Sequence, residues 1–101
     1  MPDEELTLEV LRQIDRAESQ KSLAQRLGIS VGKANYVLKA LIDKGLIKAE
    51  KFINSPNKRG YAYLLTADGI RKKIELTERF IEKKKREYEE LLMELERMRQ
   101  K

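Results

Sequence analysis

Residues 30–45 read SVGKANYVLKALIDKG, and their spacing predicts a helix with two unlike faces. Ser30 can cap the start of this helix, because its hydroxyl can accept an unpaired backbone N–H of the first turn. Gly45 can end the helix in the left-handed conformation that side chains resist. The apolar residues recur at steps of three and four and therefore share one face, which consists of Ala34, Val37, Leu38 and Leu41.

The opposite face of this helix is polar and cationic. It carries no acidic residue before Asp43, and its members are Gly32, Lys33, Asn35, Tyr36 and Lys39. A helix with one buried face and one face that donates hydrogen bonds to bases and phosphates suits the major groove of DNA. The sequence therefore predicts a recognition helix.

The residues before this helix have the spacing of a helix-turn-helix. A short helix is predicted to begin at about Gln20 or Ser22 and to end at Leu27. DNA-binding helix-turn-helix units pack two helices at a steep angle through a turn of three or four residues. Ala24 is small enough for a close crossing, and Gly28 can adopt the positive φ of a sharp turn. The alternative is a helical hairpin of a bundle, which would leave the cationic face unexplained.

A further helix is predicted over residues 3–16, ahead of this pair. Asp3 is its expected cap. Its apolar stripe consists of Leu6, Val10, Leu11 and Ile14. Leu8 falls off this stripe, and we expect it to meet another surface or a dimer partner.

The pattern after Gly45 changes from helix to strand. Residues 46–53 and 61–65 are predicted to pair as two strands, and residues 54–60 between them are dense in turn formers. Two strands directly after a recognition helix form a wing. We expect its basic tip to reach the minor groove or its phosphates through Asn57, Lys58 and Arg59. The alternative is a solvated hairpin without a DNA contact.

The last helix, capped by Thr66, is predicted to run to about Arg99 and to project beyond the domain formed by the preceding residues. About 33 helical residues span about 50 Å, whereas a body of about 65 residues is roughly half as wide. Heptad spacing predicts a coiled coil with a second copy, parallel or antiparallel. We expect Leu76 and Phe80 to pack on the chain's own body. The expected dimer contacts are Ile74, Ile81, Tyr88, Leu91, Leu95 and Met98. The alternative is a single helix that folds back on its own domain.

Composition narrows the function classes. The chain has 101 residues and contains no cysteine and no histidine. Disulfides, thiolate chemistry and the usual zinc ligands are thereby excluded, and we expect no metal and no cofactor. No nucleophile–base pair or pair of catalytic carboxylates emerges, so an enzyme is not expected. The acidic N-terminus and the absence of a membrane-spanning apolar run predict a cytoplasmic protein.

Positive charge is concentrated around the predicted recognition helix. Residues 19–60 hold nine basic and two acidic side chains within a chain of net charge +5, which is the electrostatic footprint of a nucleic-acid partner. The expected base contacts are Val31, Gly32, Lys33, Asn35 and Tyr36. The expected phosphate contacts are Lys21, Arg26, Ser30, Lys39 and Lys44.

Taken together, the chain is predicted to be mainly α with a small β-wing. A winged helix-turn-helix domain would cover residues 1–68, and a C-terminal coiled-coil dimerisation helix would cover residues 69–101. A homodimer of this kind would read a near-palindrome in duplex DNA, with half-sites about one turn apart.

These residues resemble the winged helix-turn-helix regulators of the MarR type, and more closely the small family of EPS-associated MarR-type transcriptional regulators. The segments that carry the resemblance are 23–30, 32–36, 38–45, 54–61 and 65–69. The resemblance implies a dimeric bacterial transcription factor tied to exopolysaccharide gene clusters. The chain lacks the long first helix and the extra C-terminal helix of larger MarR proteins, so no effector is assigned.

Two other functions are compatible with a winged helix. An RNA-binding protein would stack aromatic side chains on unpaired bases, and the candidates are Tyr36, Phe52, Tyr61 and Tyr63. A protein-interaction adaptor would act through the last helix and would show no salt-dependent binding to DNA.

Overall fold

The computed structural model describes residues 3–16, 19–52 and 60–100. Four α-helices and two strands follow one another in these ranges, with a short 3-10 helix, Ile14–Arg16, after the first helix. The elements are α1 (Glu4–Gln13), α2 (Gln20–Leu27), α3 (Val31–Asp43), β1 (Ile47–Phe52), β2 (Gly60–Leu65) and α4 (Ala67–Arg99). The predicted fold class, mainly helical with a small sheet and a long last helix, is confirmed.

Side-chain caps fix where the helices begin. At each start a hydroxyl or carboxylate oxygen accepts the backbone N–H three residues further on, at 2.7 to 3.1 Å. This satisfies one of the donors that the first turn of a helix leaves unpaired. The capping residues are Asp3, Ser19, Ser30 and Thr66, of which only Ser19 was not predicted.

Two glycines end the helices of the helix-turn-helix. Gly28 follows α2 with φ 67°, and Gly45 closes the turn after α3 with φ 74°. The residue after each glycine donates its backbone N–H to a carbonyl oxygen five positions earlier. The N–O distance is 3.0 Å both from Ile29 to Ala24 and from Leu46 to Leu41. These bonds satisfy carbonyls of the last helical turn and confirm the predicted role of both glycines.

One hydrophobic core joins α1, α2, α3, the sheet and the first half of α4. The apolar face predicted for α3 is fully buried, as are Val10 and Leu11 of α1 and Ile14 of the 3-10 helix, while Leu6 is partly buried. Leu8 is buried in the same core although it lies off the stripe of α1, because α4 covers this side of α1. The other surface that Leu8 was expected to meet is therefore α4 of the same chain.

The two strands form an antiparallel sheet as predicted. Ile47 lies opposite Leu65 at one end, and Phe52 lies opposite Gly60 at the other. Ile47 and Tyr63 are buried against the helices. The predicted wing tip, with Asn57, Lys58 and Arg59, lies outside the described residues.

Helix α4 is anchored near its start and then leaves the body. Leu76 is fully buried and Phe80 packs partly buried against the core, which confirms their predicted role. Arg79 donates to Glu4 of α1 and to Glu75, and the bond to Glu4 raises the pKa of the guanidinium. The molecule measures 69 × 25 × 22 Å, so the rest of α4 projects as predicted. No helix in the described ranges has the length and apolar character required to cross a membrane.

Candidate nucleic-acid interface

The polar face of α3 points away from the core. Gly32, Lys33, Tyr36 and Lys39 are exposed, and Val31 at the start of the helix is half-exposed. These residues share the face because the apolar positions of α3 hold its other side against α2, β1 and the shared core. The structure therefore brings the predicted base contacts together on one accessible surface, with Asn35 as the one half-buried member.

Asn35 is held by a residue of the preceding helix. Its Oδ1 accepts a hydrogen bond from Gln20 Nε2 at 2.9 Å, which joins the start of α2 to the exposed side of α3. The amide Nδ2 of Asn35 remains a donor, and Oδ1 has a second lone pair. An adenine contact that uses both amide atoms is thus compatible with this bond.

Gln20 was not predicted to take part in the site. In the sequence it is only the first residue of a short helix. Its position beside Asn35, fifteen residues later, depends on how α2 crosses α3, and residue spacing does not encode that angle. A polar residue at the start of the first helix of such a pair is the only signal the sequence offers.

The start of α3 favours a negatively charged partner. Ser30 Oγ accepts the N–H of Lys33 at 3.1 Å, and the first turn carries no acidic residue. The N-terminus of a helix has partial positive charge and attracts phosphate. The hydroxyl hydrogen of Ser30 can still be donated outward, which fits its predicted phosphate contact.

The predicted phosphate contacts add exposed cations on α2 and along α3. Lys21, Arg26, Lys39 and Lys44 are all exposed, as is Lys33. None of these five takes part in the ion pairs formed between described residues, whereas α1 and α4 contain several such pairs. Their positive charge is therefore available to a polyanion.

The RNA alternative loses one of its aromatic candidates. Tyr63 is buried in the core at 8% exposure and cannot stack on a base without unfolding the sheet. Tyr36 is exposed on α3, and the side chains of Phe52 and Tyr61 lie outside the described part of the chain. The described surface contains no platform of neighbouring exposed aromatics of the kind that single-stranded RNA uses.

The predicted dimer contacts form an exposed apolar stripe on α4. Ile74, Ile81, Tyr88, Leu91, Leu95 and Met98 are between 39% and 64% exposed. Ile70, Leu92 and Met93 are exposed as well and were not predicted. Monomeric proteins seldom expose so many large apolar side chains in one run, so the stripe favours a partner.

A family model described as winged helix-turn-helix DNA-binding matches residues 4–48, from α1 to the start of β1. No curated protein matches the chain.

Solved structures with the same fold include proteins from Staphylococcus aureus. A glycine-to-lysine variant of S. aureus MepR is 21% identical with a TM-score of 0.67, and the match covers 97% of this chain and 77% of that chain. A MepR variant bound to an oligodeoxyribonucleotide is 22% identical with a TM-score of 0.64, over 94% and 74% of the two chains.

S. aureus MarR in complex with salicylate and kanamycin is 23% identical with a TM-score of 0.58. The match covers 81% of this chain but only 54% of that one, so the chain spans about half the length of this MarR. Together with the geometry of α2, α3 and the sheet, these matches show that the chain has the winged helix-turn-helix fold.

Proposed function

We propose that the chain is a MarR-type transcriptional regulator that binds duplex DNA sequence-specifically as a homodimer. The observation that carries this proposal is the exposed face of α3, which presents Lys33 and Lys39 together with an asparagine that is hydrogen-bonded to Gln20. The fold shared with a MepR variant bound to an oligodeoxyribonucleotide supports it. Control of exopolysaccharide genes and a cytoplasmic location belong to the same proposal, and the sequence resemblance suggests both.

Helix α3 enters the major groove with its N-terminal half toward the bases. Lys33 donates to guanine or to a phosphate, and Asn35 makes a two-atom contact with adenine. Gly32 lets the backbone approach the base edges. Val31 and Tyr36 supply apolar contacts of the kind that recognise a thymine methyl.

The remaining positions hold the duplex without reading it. Phosphates are bound by Lys21, Arg26, Ser30, Lys39 and Lys44, and the wing adds Asn57, Lys58 and Arg59. In this division residues 1–68 bind DNA, and residues 69–101 supply the dimer contact. No catalytic residue is part of the proposal.

Replacing Asn35 by alanine is expected to remove sequence preference while leaving general DNA affinity intact. The loss should amount to roughly 1–3 kcal/mol of discrimination at one base pair of each half-site, because one two-atom base contact disappears. Competition between specific and random duplexes measures this difference at fixed salt. Equal specificity in the variant and the parent protein would remove Asn35 from the set of base contacts.

Gln20→Ala is a milder variant that tests the same base contact. It leaves the Asn35 amide in place but removes the bond that orients it, so we expect a smaller loss, of about 0.5–1.5 kcal/mol, at the same base pair. If Gln20→Ala shifts preference at a different base pair, Gln20 itself contacts DNA and does not position Asn35.

Replacing Gly32 by alanine is expected to separate stability from function. A Cβ at this position meets nothing within 4 Å, so the folded chain accommodates it. Alanine inside a helix should stabilise the protein by about 0.5–1 kcal/mol. The added methyl group would stand between the helix backbone and the bases, so specific DNA affinity should fall. Urea unfolding and a DNA titration of the same preparation test both effects, and unchanged affinity would place Gly32 away from the duplex.

A further inference from the structure

The charge on α4 changes sign near the middle of the helix. Residues 71–86 carry eight basic and three acidic side chains, whereas residues 87–99 carry five acidic and two basic ones. Two parallel copies in register would place the two basic halves side by side and the two acidic segments side by side, although Lys73 could still pair with Glu78 and Glu94 with Arg99 of the other copy. Two antiparallel copies would place the acidic end of each against the basic half of the other, which is favourable.

A groove between α1 and α4 can receive a helix of a second copy. It has a volume of about 740 Å³ and lies between α1 and the basic half of α4. Ile81 and Tyr88 contribute exposed apolar surface beside the nearly buried Leu8, and Lys73, Lys84 and Lys85 are basic residues of the groove. The groove also includes Glu5 and Glu9, but Glu9 is already paired with Arg12 at 2.9 Å.

We propose that two copies of α4 pair in antiparallel orientation. The acidic segment 87–99 of each copy lies along the basic half of the other α4 and in the groove beside α1. Leu91, Leu95 and Met98 of that segment then cover apolar surface that is otherwise open to water. This arrangement rests on the proposed homodimer and specifies its geometry.

The heptad positions define one antiparallel register that covers the whole stripe. One set of core positions is Ile74, Ile81, Tyr88 and Leu95, and the other is Thr77, Lys84, Leu91 and Met98. Antiparallel coiled coils place one set against the other. With the midpoint near Arg86, Ile81 faces Leu91 of the second copy, Ile74 faces Met98, and Thr77 faces Leu95.

Lys84 supplies a second argument against the parallel alternative. In a parallel pair the two Lys84 side chains would meet each other in the apolar seam. In the antiparallel register Lys84 lies against Tyr88 of the second copy, where its methylene groups can pack on the ring. Its ammonium group then lies near the acidic residues that flank the tyrosine, Glu87 and Glu89.

The antiparallel register also sets the distance between the two DNA-binding bodies. The body contacts α4 through Gly69, Leu76 and Phe80, on average about 11 residues from the midpoint. At 1.5 Å per residue, the two bodies then lie about 33 Å apart along the coil. This separation agrees with the roughly 34–36 Å between half-sites one turn apart.

Disulfide trapping in the full chain tests the orientation directly, because the chain contains no cysteine of its own. Thr77→Cys and Leu95→Cys are both at exposed positions, so neither change disturbs the core. The two proteins, one carrying a mass tag, are oxidised separately and again after mixing and subunit exchange. Sedimentation of the reduced samples reports whether they are dimers.

We expect a cross-linked dimer that contains one chain of each kind, formed only in the mixture. Cross-linking of Leu95→Cys or Thr77→Cys with itself would show a parallel pair and overturn the proposal. Dimers that cross-link in none of the samples would overturn the register. Monomers in sedimentation would contradict the homodimer itself, while a separate DNA titration reports on the recognition helix independently.

Discussion

Ending the chain after Phe80 should turn the protein into a monomer and weaken its binding to a two-half-site operator by about 100-fold or more. The loss follows from valency, because each monomer would bind one half-site without the gain from a linked second body. The cut keeps Leu76 and Phe80, so the core contacts of α4 remain. Light scattering measures the mass, and titration with one-half-site and two-half-site duplexes measures the affinity. A dimer that persists after truncation would contradict a dimer contact through the distal part of α4.

A matched pair of substitutions controls for simple damage to α4. Leu91→Glu places a charge in the proposed seam, whereas Met93→Glu places the same charge two residues away, outside both sets of heptad core positions. The two side chains are almost equally exposed, at 64% and 62%. We expect monomers for the first variant and dimers for the second. Monomers from both would indicate that added negative charge alone separates the chains.

Gly69→Ala should destabilise the fold by more than about 2 kcal/mol, because two backbones approach each other closely at this glycine. A Cβ at Gly69 would lie 2.0 Å from the carbonyl oxygen of Leu46, which is well inside any tolerable contact. That oxygen accepts the Thr66 N–H at 3.1 Å, and Thr66 Oγ1 donates to Gly45 O at 2.5 Å. The carbonyl therefore cannot move away without breaking the junction between the turn after α3 and α4.

Urea denaturation of the Gly69→Ala and Gly32→Ala variants compares the stability effect of the same substitution at two helical glycines. Both variants add one methyl group to a helical glycine, but only Gly69 lacks space for it. The midpoint should fall sharply for the first and stay level or rise slightly for the second. A Gly69→Ala protein as stable as its parent would show that α4 does not pass so close to Leu46.

The parts of the fold that the sequence predicts are those encoded locally. Helix starts follow from capping residues such as Ser30 and Thr66, and helix ends follow from Gly28 and Gly45. Apolar spacing along α3 gives the buried face, since a helix imposes its own period on the chain. These signals lie within a few residues of one another, and the structure confirms each of them.

The features that the sequence did not predict depend on how distant elements cross. Leu8 is buried because α4, some seventy residues later, covers one side of α1. Gln20 reaches Asn35 because α2 crosses α3 at a particular angle, and Gly69 touches Leu46 because the chain returns to the body there. Spacing along the chain carries no information about these approaches.

The candidate site was predictable in outline for the same reason. Exposure of Lys33 and Tyr36 follows from helical periodicity once the buried face is known. The half-burial of Asn35 and its hydrogen bond do not follow, because a residue at the edge of the polar face takes its environment from the neighbouring helix. The predicted roles of Asn57, Lys58 and Arg59 remain predictions, since they lie outside the described residues.

Sequence-specific recognition of duplex DNA by α3 can be tested by selecting bound fragments from a random pool of duplexes. We expect enrichment of a near-palindrome with two half-sites about one turn apart, bound with an affinity that falls steeply as salt is raised. Failure to enrich any sequence, combined with equal or tighter binding to single-stranded RNA of random sequence, would contradict sequence-specific recognition of duplex DNA by α3.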